Sequence, residues 1–208
     1  MIPSSRRLAL AALAIALALA CAGTVARAQV AADPPLAGPA LVAALERGGL
    51  TLYFRHVSTD FSQNDERFVA GDCTTQRNLT DAGRAEARAI GREIRRLKLK
   101  IGEVLASPYC RTMETAELIF GRATASPAVR GGPAQASAER YAELRKLLAT
   151  PPAPGTLRAI ASHGNPFRAV TDAAYLAEGE AAVVAPDGDR FRIVARIRKD
   201  EWASLKAR

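Results

Sequence analysis

The sequence predicts a three-layer α/β sandwich with a mostly parallel central sheet and an antiparallel edge strand. Three observations predict it: short apolar runs that break off at polar residues, amphipathic helical repeats between them, and a closing pair of strand patterns around Pro186-Asp187-Gly188-Asp189.

The elements follow in order. Residues Val30 to Ala40 are rich in Ala and Pro and read as a mobile lead-in, and Leu41 to Arg47 as a short helix stopped by Gly48-Gly49. Leu50-Thr51-Leu52-Tyr53-Phe54 is a buried strand pattern that ends at Arg55-His56. Ser58 to Arg77 is a long polar loop, a kind that in compact domains is usually functional or disordered. Thr80 caps a helix whose apolar positions Ala82, Ala85, Ala89, Ile90, Ile94 and Leu97 face a sheet. Val104-Leu105-Ala106 is a second strand, broken by Ser107-Pro108, and Arg111 to Phe120 a helix with Arg111 in its first turn. A helix over Ser137 to Ala149, a strand Leu157 to Ala161 ending at Ser162-His163-Gly164, and a helix Phe167 to Leu176 come next. Ala181 to Ala185 and Phe191 to Ile197 form the closing hairpin.

The N-terminus has the layout of a cleaved signal peptide. Arg6 and Arg7 precede an apolar run from Leu8 to Ala20, and Ala26-Arg27-Ala28 places small residues where cleavage occurs. The run is shorter than the ~20 residues a bilayer span needs, so export with cleavage is favoured over a membrane anchor. Ser5-Arg6-Arg7 matches a twin-arginine signal only loosely, and Ala18 stands where a lipoprotein signal ahead of Cys21 usually has Leu. The expected division is 1–28 signal peptide, 29–49 lead-in and short helix, and 50–208 one catalytic domain in a periplasmic or secreted protein.

Cleavage after Ala28 leaves 208 − 28 = 180 residues, enough for one well-buried domain. The signal holds three of the 29 basic residues and no acid, so the mature charge is 26 − 21 = +5, which suits an anionic substrate. No stretch interleaves aromatic and basic residues as a single-stranded nucleic-acid platform does, so nucleic acid is not expected as a partner. The mature chain keeps Cys73 and Cys110, which an oxidising compartment allows to pair; on spacing alone, two buried thiols are as good a reading.

Chemistry centres on the chain's two histidines, His56 and His163. Each follows a buried strand, and ligands of open α/β sheets bind at that edge. Arg55 adjoins the first, and Arg111 opens a helix after its own strand, so two guanidiniums and two imidazoles can converge on an anion. A helix start adds backbone N–H groups to the same field. No Asp/His cluster has ligand spacing, so neither a metal nor a cofactor is expected.

Arg55-His56, the stretch Ser107-Pro108-Tyr109-Cys110-Arg111-Thr112-Met113-Glu114-Thr115-Ala116, Ser162-His163-Gly164, and Arg77-Asn78-Leu79-Thr80 with Gly83-Arg84 and Ala87 together resemble the histidine phosphatase superfamily in order and spacing. The resemblance spans about Leu50 to Ile197; Val57 departs from the Gly or Ala that usually follows the first histidine. It implies a phosphoglycerate mutase-like fold, with His56 as nucleophile forming a phosphohistidine and Arg55, Arg111 and His163 binding the phosphoryl oxygens. The family places its acid variably. Glu180 is the expected proton donor, with Glu178, Glu139 and Glu143 as alternatives, and Ser58 is expected to contact substrate. Since Cys110 precedes Arg111 and Cys73 lies in the long loop, a disulfide between them, pinning that loop beside the phosphate pocket, becomes the favoured pairing.

The resemblance thus implies an exported phosphatase acting on a phosphorylated small molecule, glycan or lipid head group. The competing readings are a non-catalytic protein that binds such a phosphorylated glycan or lipid head group in the same pocket, and a mutase-type phosphotransferase. The second lacks its dedicated loop in Ser58 to Arg77.

Overall fold

The computed structural model describes residues 34–132, 138–171 and 173–206; the signal-peptide reading of residues 1–28 and the first residues of the lead-in lie outside them. Among the described residues no helix is long and apolar enough to cross a membrane.

The described residues form an α/β fold with a mixed sheet flanked by helices. The elements are α1 (Gly38–Arg47), β1 (Thr51–Arg55), α2 (Asp81–Arg96), β2 (Ile101–Ala106), α3 (Cys110–Phe120), β3 (Thr124–Ala125), α4 (Ala142–Ala149), β4 (Leu157–Ser162), α5 (Gly164–Thr171), β5 (Ala181–Asp187) and β6 (Arg190–Ile197). The strand order is β3-β2-β4-β1-β5-β6. β1, β2, β3 and β4 pair in parallel, while β5 and β6 add the antiparallel edge. The fold class read from the sequence is therefore the one observed.

Period-two alternation splits β1 between two cores. Leu52 and Phe54 face the cluster under α1 and α2, with Phe54 stacked on Trp202 at 5.8 Å between ring centroids. Tyr53 faces the opposite cluster under α4 and α5 and meets Phe167 at 5.2 Å. Full burial of each such side chain contributes ~1.5–3 kcal/mol.

Boundaries differ where side chains compete with the backbone. The lead-in is shorter than the composition suggests: α1 begins at Gly38 with Pro39 in its first turn, where a missing N–H costs nothing. Its Leu41, Val42 and Leu45 are part of the main core, and Leu36 N–H donates to Val194 O on β6 at 2.7 Å. The predicted helix over Phe167 to Leu176 is instead α5, ending at Thr171. The Thr171 hydroxyl donates to Phe167 O at 2.7 Å and accepts from Ala173 N–H at 3.2 Å, diverting the chain from the helix. The predicted helix from Ser137 opens as a 3-10 turn over Ala138–Tyr141 before α4, and residue 137 lies outside the described residues. The two-residue strand β3 was not expected.

The long loop is a built structure. Thr59 bridges Leu79 in antiparallel fashion, and Asp60 N–H donates to Asn78 O at 3.0 Å, closing its base. A disulfide joins Cys73 to Cys110, and Gln76 Oε1 accepts from Cys110 N–H at 2.9 Å. α2 follows at once, with Thr80 Oγ1 capping Gly83 N–H at 2.9 Å. Gly83 is required there, because a Cβ would stand 2.1 Å from Ser58 O.

Candidate active site

The site is assembled by strand ends. Arg55 and Ser162 are register partners on the parallel strands β1 and β4, so His56 and His163 leave the sheet together at one edge. Their ring centroids are 5.6 Å apart. β2 ends at the same edge, where Ser107 Oγ lies 2.9 Å from Nε2 of His163, and α3 follows with Arg111 in its first turn. The rest of the frame is backbone: His56 N–H donates to Ser162 O at 3.0 Å, and the Tyr53 hydroxyl to His163 O at 2.8 Å. Val57, the departure from the family pattern, is fully buried in the main core.

His56 Nδ1 is 3.0 Å from Val57 O. A carbonyl only accepts, so Nδ1 carries the proton and Nε2 keeps its lone pair. Burial, reinforced by Arg111, Arg55 and Arg77, lowers the His56 pKa to about 3. Burial and the neighbouring charges push His163 well below the ordinary histidine value as well. Both rings are therefore neutral at neutral pH.

The cavity before them has a volume of about 290 Å³ and is lined by Arg55, His56, Arg111 and His163, and also by Asp65, Arg77, Tyr109, Gly131, Gly132, Gly164, Asn165 and Tyr175. Arg55 is steadied by a bond from Nη1 to Leu176 O at 2.9 Å and by Glu178 Oε1 at 3.5 Å from Nη2. Arg111, only 5% exposed, forms a two-pronged pair with Asp65, from Nη1 to Oδ1 at 2.9 Å and from Nη2 to Oδ2 at 3.0 Å. The Nε–H groups of Arg77 and Arg111 are buried without an acceptor among the described residues. Gly131 abuts His163: a Cβ there would lie 2.8 Å from its Cδ2.

The structure thus brings together Arg55, His56, Arg111 and His163. It does not bring Glu180 or Ser58 to them. Glu180 does stand just ahead of β5 at the right edge, and its backbone O accepts from Arg55 N–H at 3.1 Å. Its side chain turns instead to Arg196 on β6, which donates from Nε at 2.7 Å and Nη2 at 2.8 Å, and it also accepts from Ala177 N–H at 2.8 Å. Burial alone would raise the Glu180 carboxyl, but Arg196 and the Ala177 N–H together outweigh it and hold the group below the usual range. Ser58 donates to Glu86 on α2 at 2.8 Å and does not line the cavity. Glu178 accepts from Thr59 Oγ1 at 2.7 Å, with Oε1 3.8 Å from His56 Nδ1, the protonated ring nitrogen. Glu139 and Glu143 are exposed and do not line the cavity.

Asp65, Arg77, Asn165 and Tyr175 were missed as site residues. Arg77 was noted as part of a motif, and Asn165 follows Ser162-His163-Gly164 directly, so both had a signal. Asp65 lies in a loop without periodicity, and Tyr175 lies in a stretch expected to be helical but placed past the early end of α5.

Fold and motifs together define a phosphoglycerate mutase-like domain carrying a histidine phosphatase signature. Residues 52–132 match the family model described as the histidine phosphatase superfamily (branch 1). That match covers 81 of the 208 residues and agrees with the resemblance read from the motifs. Among solved structures, the chain is similar to a mycobacterial glucosyl-3-phosphoglycerate phosphatase determined with inorganic phosphate: 14% identity, TM-score 0.54, covering 73% of this chain and 99% of that one. It is also similar to a protein of Agrobacterium tumefaciens assigned as the phosphohistidine phosphatase SixA: 15% identity, TM-score 0.50, covering 72% and 97%. No curated protein matches the sequence significantly.

Proposed function

We propose that this chain is an exported phosphatase that hydrolyses phosphomonoesters through a phosphohistidine on His56. The observation that carries the reading is the tautomer of His56. Val57 O holds its Nδ1 proton, so a neutral ring keeps an unprotonated Nε2 in a cavity shared with Arg55, Arg77, Arg111 and His163.

Phosphoryl transfer needs positioning and charge stabilisation more than covalent help from the protein. Arg55, Arg111 and Arg77 bind the phosphoryl oxygens, and the orphaned Nε–H groups beside the cavity gain acceptors when an anion enters. His163, neutral and next to Ser107 Oγ, contributes a hydrogen bond rather than a charge. Nε2 of His56 attacks phosphorus, and water hydrolyses the phosphohistidine. Export is supported by the N-terminal sequence, and an oxidising destination agrees with the Cys73–Cys110 disulfide.

The test is hydrolysis of p-nitrophenyl phosphate by mature protein without added metal, beside His56→Ala, with acid-labile, base-stable phosphoenzyme trapped at short times. The expected result is turnover and a labelled protein that both disappear in His56→Ala. Equal rates in the two proteins would overturn the reading, and binding of phosphate without turnover would favour a non-catalytic phospho-ligand protein.

A further inference from the structure

With Glu180 committed to Arg196, the proton required by the leaving group has no source among the residues assigned so far. Asp65 is the single carboxylate lining the cavity among the described residues. It stands in the loop between β1 and α2, its two oxygens against the two terminal nitrogens of Arg111. Arg77 N–H adds a third bond to Oδ1 at 2.9 Å. A guanidinium fork receives a carboxylate or a phosphate in the same two-pronged way, and one fork cannot hold both. A phosphoryl group that takes the Nη1–Nη2 fork of Arg111, and not its unpartnered Nε–H alone, turns Asp65 out of it. The carboxylate cannot go far, because the loop is tied back at Cys73–Cys110 and by Gln76 to the start of the Arg111 helix.

We propose that Asp65 is the general acid–base residue of this site: the substrate's phosphoryl oxygens displace it from Arg111, and it then passes a proton to the leaving oxygen. The proposal rests on the phosphohistidine reading above. The Arg111 pair and the Arg77 N–H keep the Asp65 carboxyl below the usual range in the free protein, against the opposing effect of burial. Losing the fork to an anion removes that hold and sets negative phosphoryl oxygens beside the carboxylate, and both changes raise its proton affinity.

The proton arrives with the phosphomonoester monoanion, whose second ionisation lies near pH 6, and passes to Asp65 as the phosphoryl group takes Arg111. The bond from His56 Nε2 to phosphorus forms as the P–O ester bond breaks. The ester oxygen takes the proton from Asp65 and leaves as the alcohol. In the second step water oxygen bonds to phosphorus as the P–Nε2 bond breaks, and the water proton goes to the Asp65 carboxylate. Phosphate then carries that proton away, His56 is neutral again, and Asp65 returns to Arg111.

The test is kcat/KM of Asp65→Asn, which reports steps through leaving-group departure, on p-nitrophenyl phosphate, phenyl phosphate and an alkyl phosphate. The good leaving group needs no acid, so its value should hold or rise as Arg111 is freed. The alkyl ester should fall about 100-fold or more, giving a steeper dependence on leaving-group pKa, and Asp65→Glu should restore part of the loss. A uniform fall across the series, or none at all, would overturn the proposal. Failure of the underlying reading looks different: it is turnover by His56→Ala.

Discussion

The side chains of Glu180 and Arg196 close on each other across the β5–β6 pairing, with Arg196 Nε 2.7 Å from Oε1 and Nη2 2.8 Å from Oε2. Arg196 also donates to the carbonyls of Ala174 and Tyr175, so the pair fixes the segment that carries Tyr175 to the cavity wall.

That pair is structural. Glu180→Gln should lower unfolding free energy by roughly 2 kcal/mol, less than the ~3–5 of a fully buried pair because Arg196 is 30% exposed. kcat on aryl phosphates should change less than about threefold. Urea unfolding and steady-state kinetics of one preparation check both halves, and a selective loss on poor leaving groups would return Glu180 to the role of acid.

Gly131→Ala tests how closely His163 must be held. The new methyl would stand 2.8 Å from Cδ2 and 2.9 Å from Nε2 of the imidazole, so the ring or the Gly131 backbone has to shift. An overpacking cost of ~1–3 kcal/mol is expected. A misplacement of this kind costs up to about 100-fold in kcat/KM. Unchanged kinetics would show that His163 need not be held there.

The Cys73–Cys110 disulfide spans a sequence separation of 37. The chain-entropy relation gives roughly 3–4 kcal/mol of stabilisation for a loop of that length. Thermal unfolding of Cys73→Ser/Cys110→Ser should show a matching loss. Mass analysis of non-reduced protein after alkylation should find neither thiol modified.

The two buried histidines set an acid-side dependence of stability. Each has a folded pKa below its unfolded value near 6.5, about 3 in the case of His56. Between those values the unfolded chain binds protons that the folded one refuses, so stability falls as pH drops from about 6.5 towards 3. The slope is at most about 1.4 kcal/mol per pH unit for each histidine. Denaturant midpoints of the parent and His163→Gln, taken across that range, should show the shallower slope in the variant.

Much of this was legible in the sequence because strand ends can be read without knowing the sheet. Arg55-His56, Ser162-His163 and the Ser107 to Arg111 stretch each follow an apolar run. Parallel pairing of β1, β2 and β4 then brings those ends to one edge. Glu180 shows the limit of that reasoning. Its backbone is at the predicted edge, but which way a side chain turns just ahead of a strand depends on a partner in the next strand, here Arg196. Asp65 is the opposite case: a long polar loop has no period from which direction can be inferred, and its inward turn is set by Arg111 and the Arg77 N–H. Helix α5 ended early because one hydroxyl, that of Thr171, competed for the backbone.

β6 is one of the two outermost strands of the sheet, β3 being the other, and an unpaired strand edge is a template for adding another chain. Here one stretch of that edge is already occupied, since Leu36 N–H is bonded to Val194 O. The opposite end carries Arg190 and Arg192, both exposed. A second copy approaching in register would set like charges against each other, so the segment ahead of α1 and these two arginines together disfavour pairing of another copy along the β6 edge.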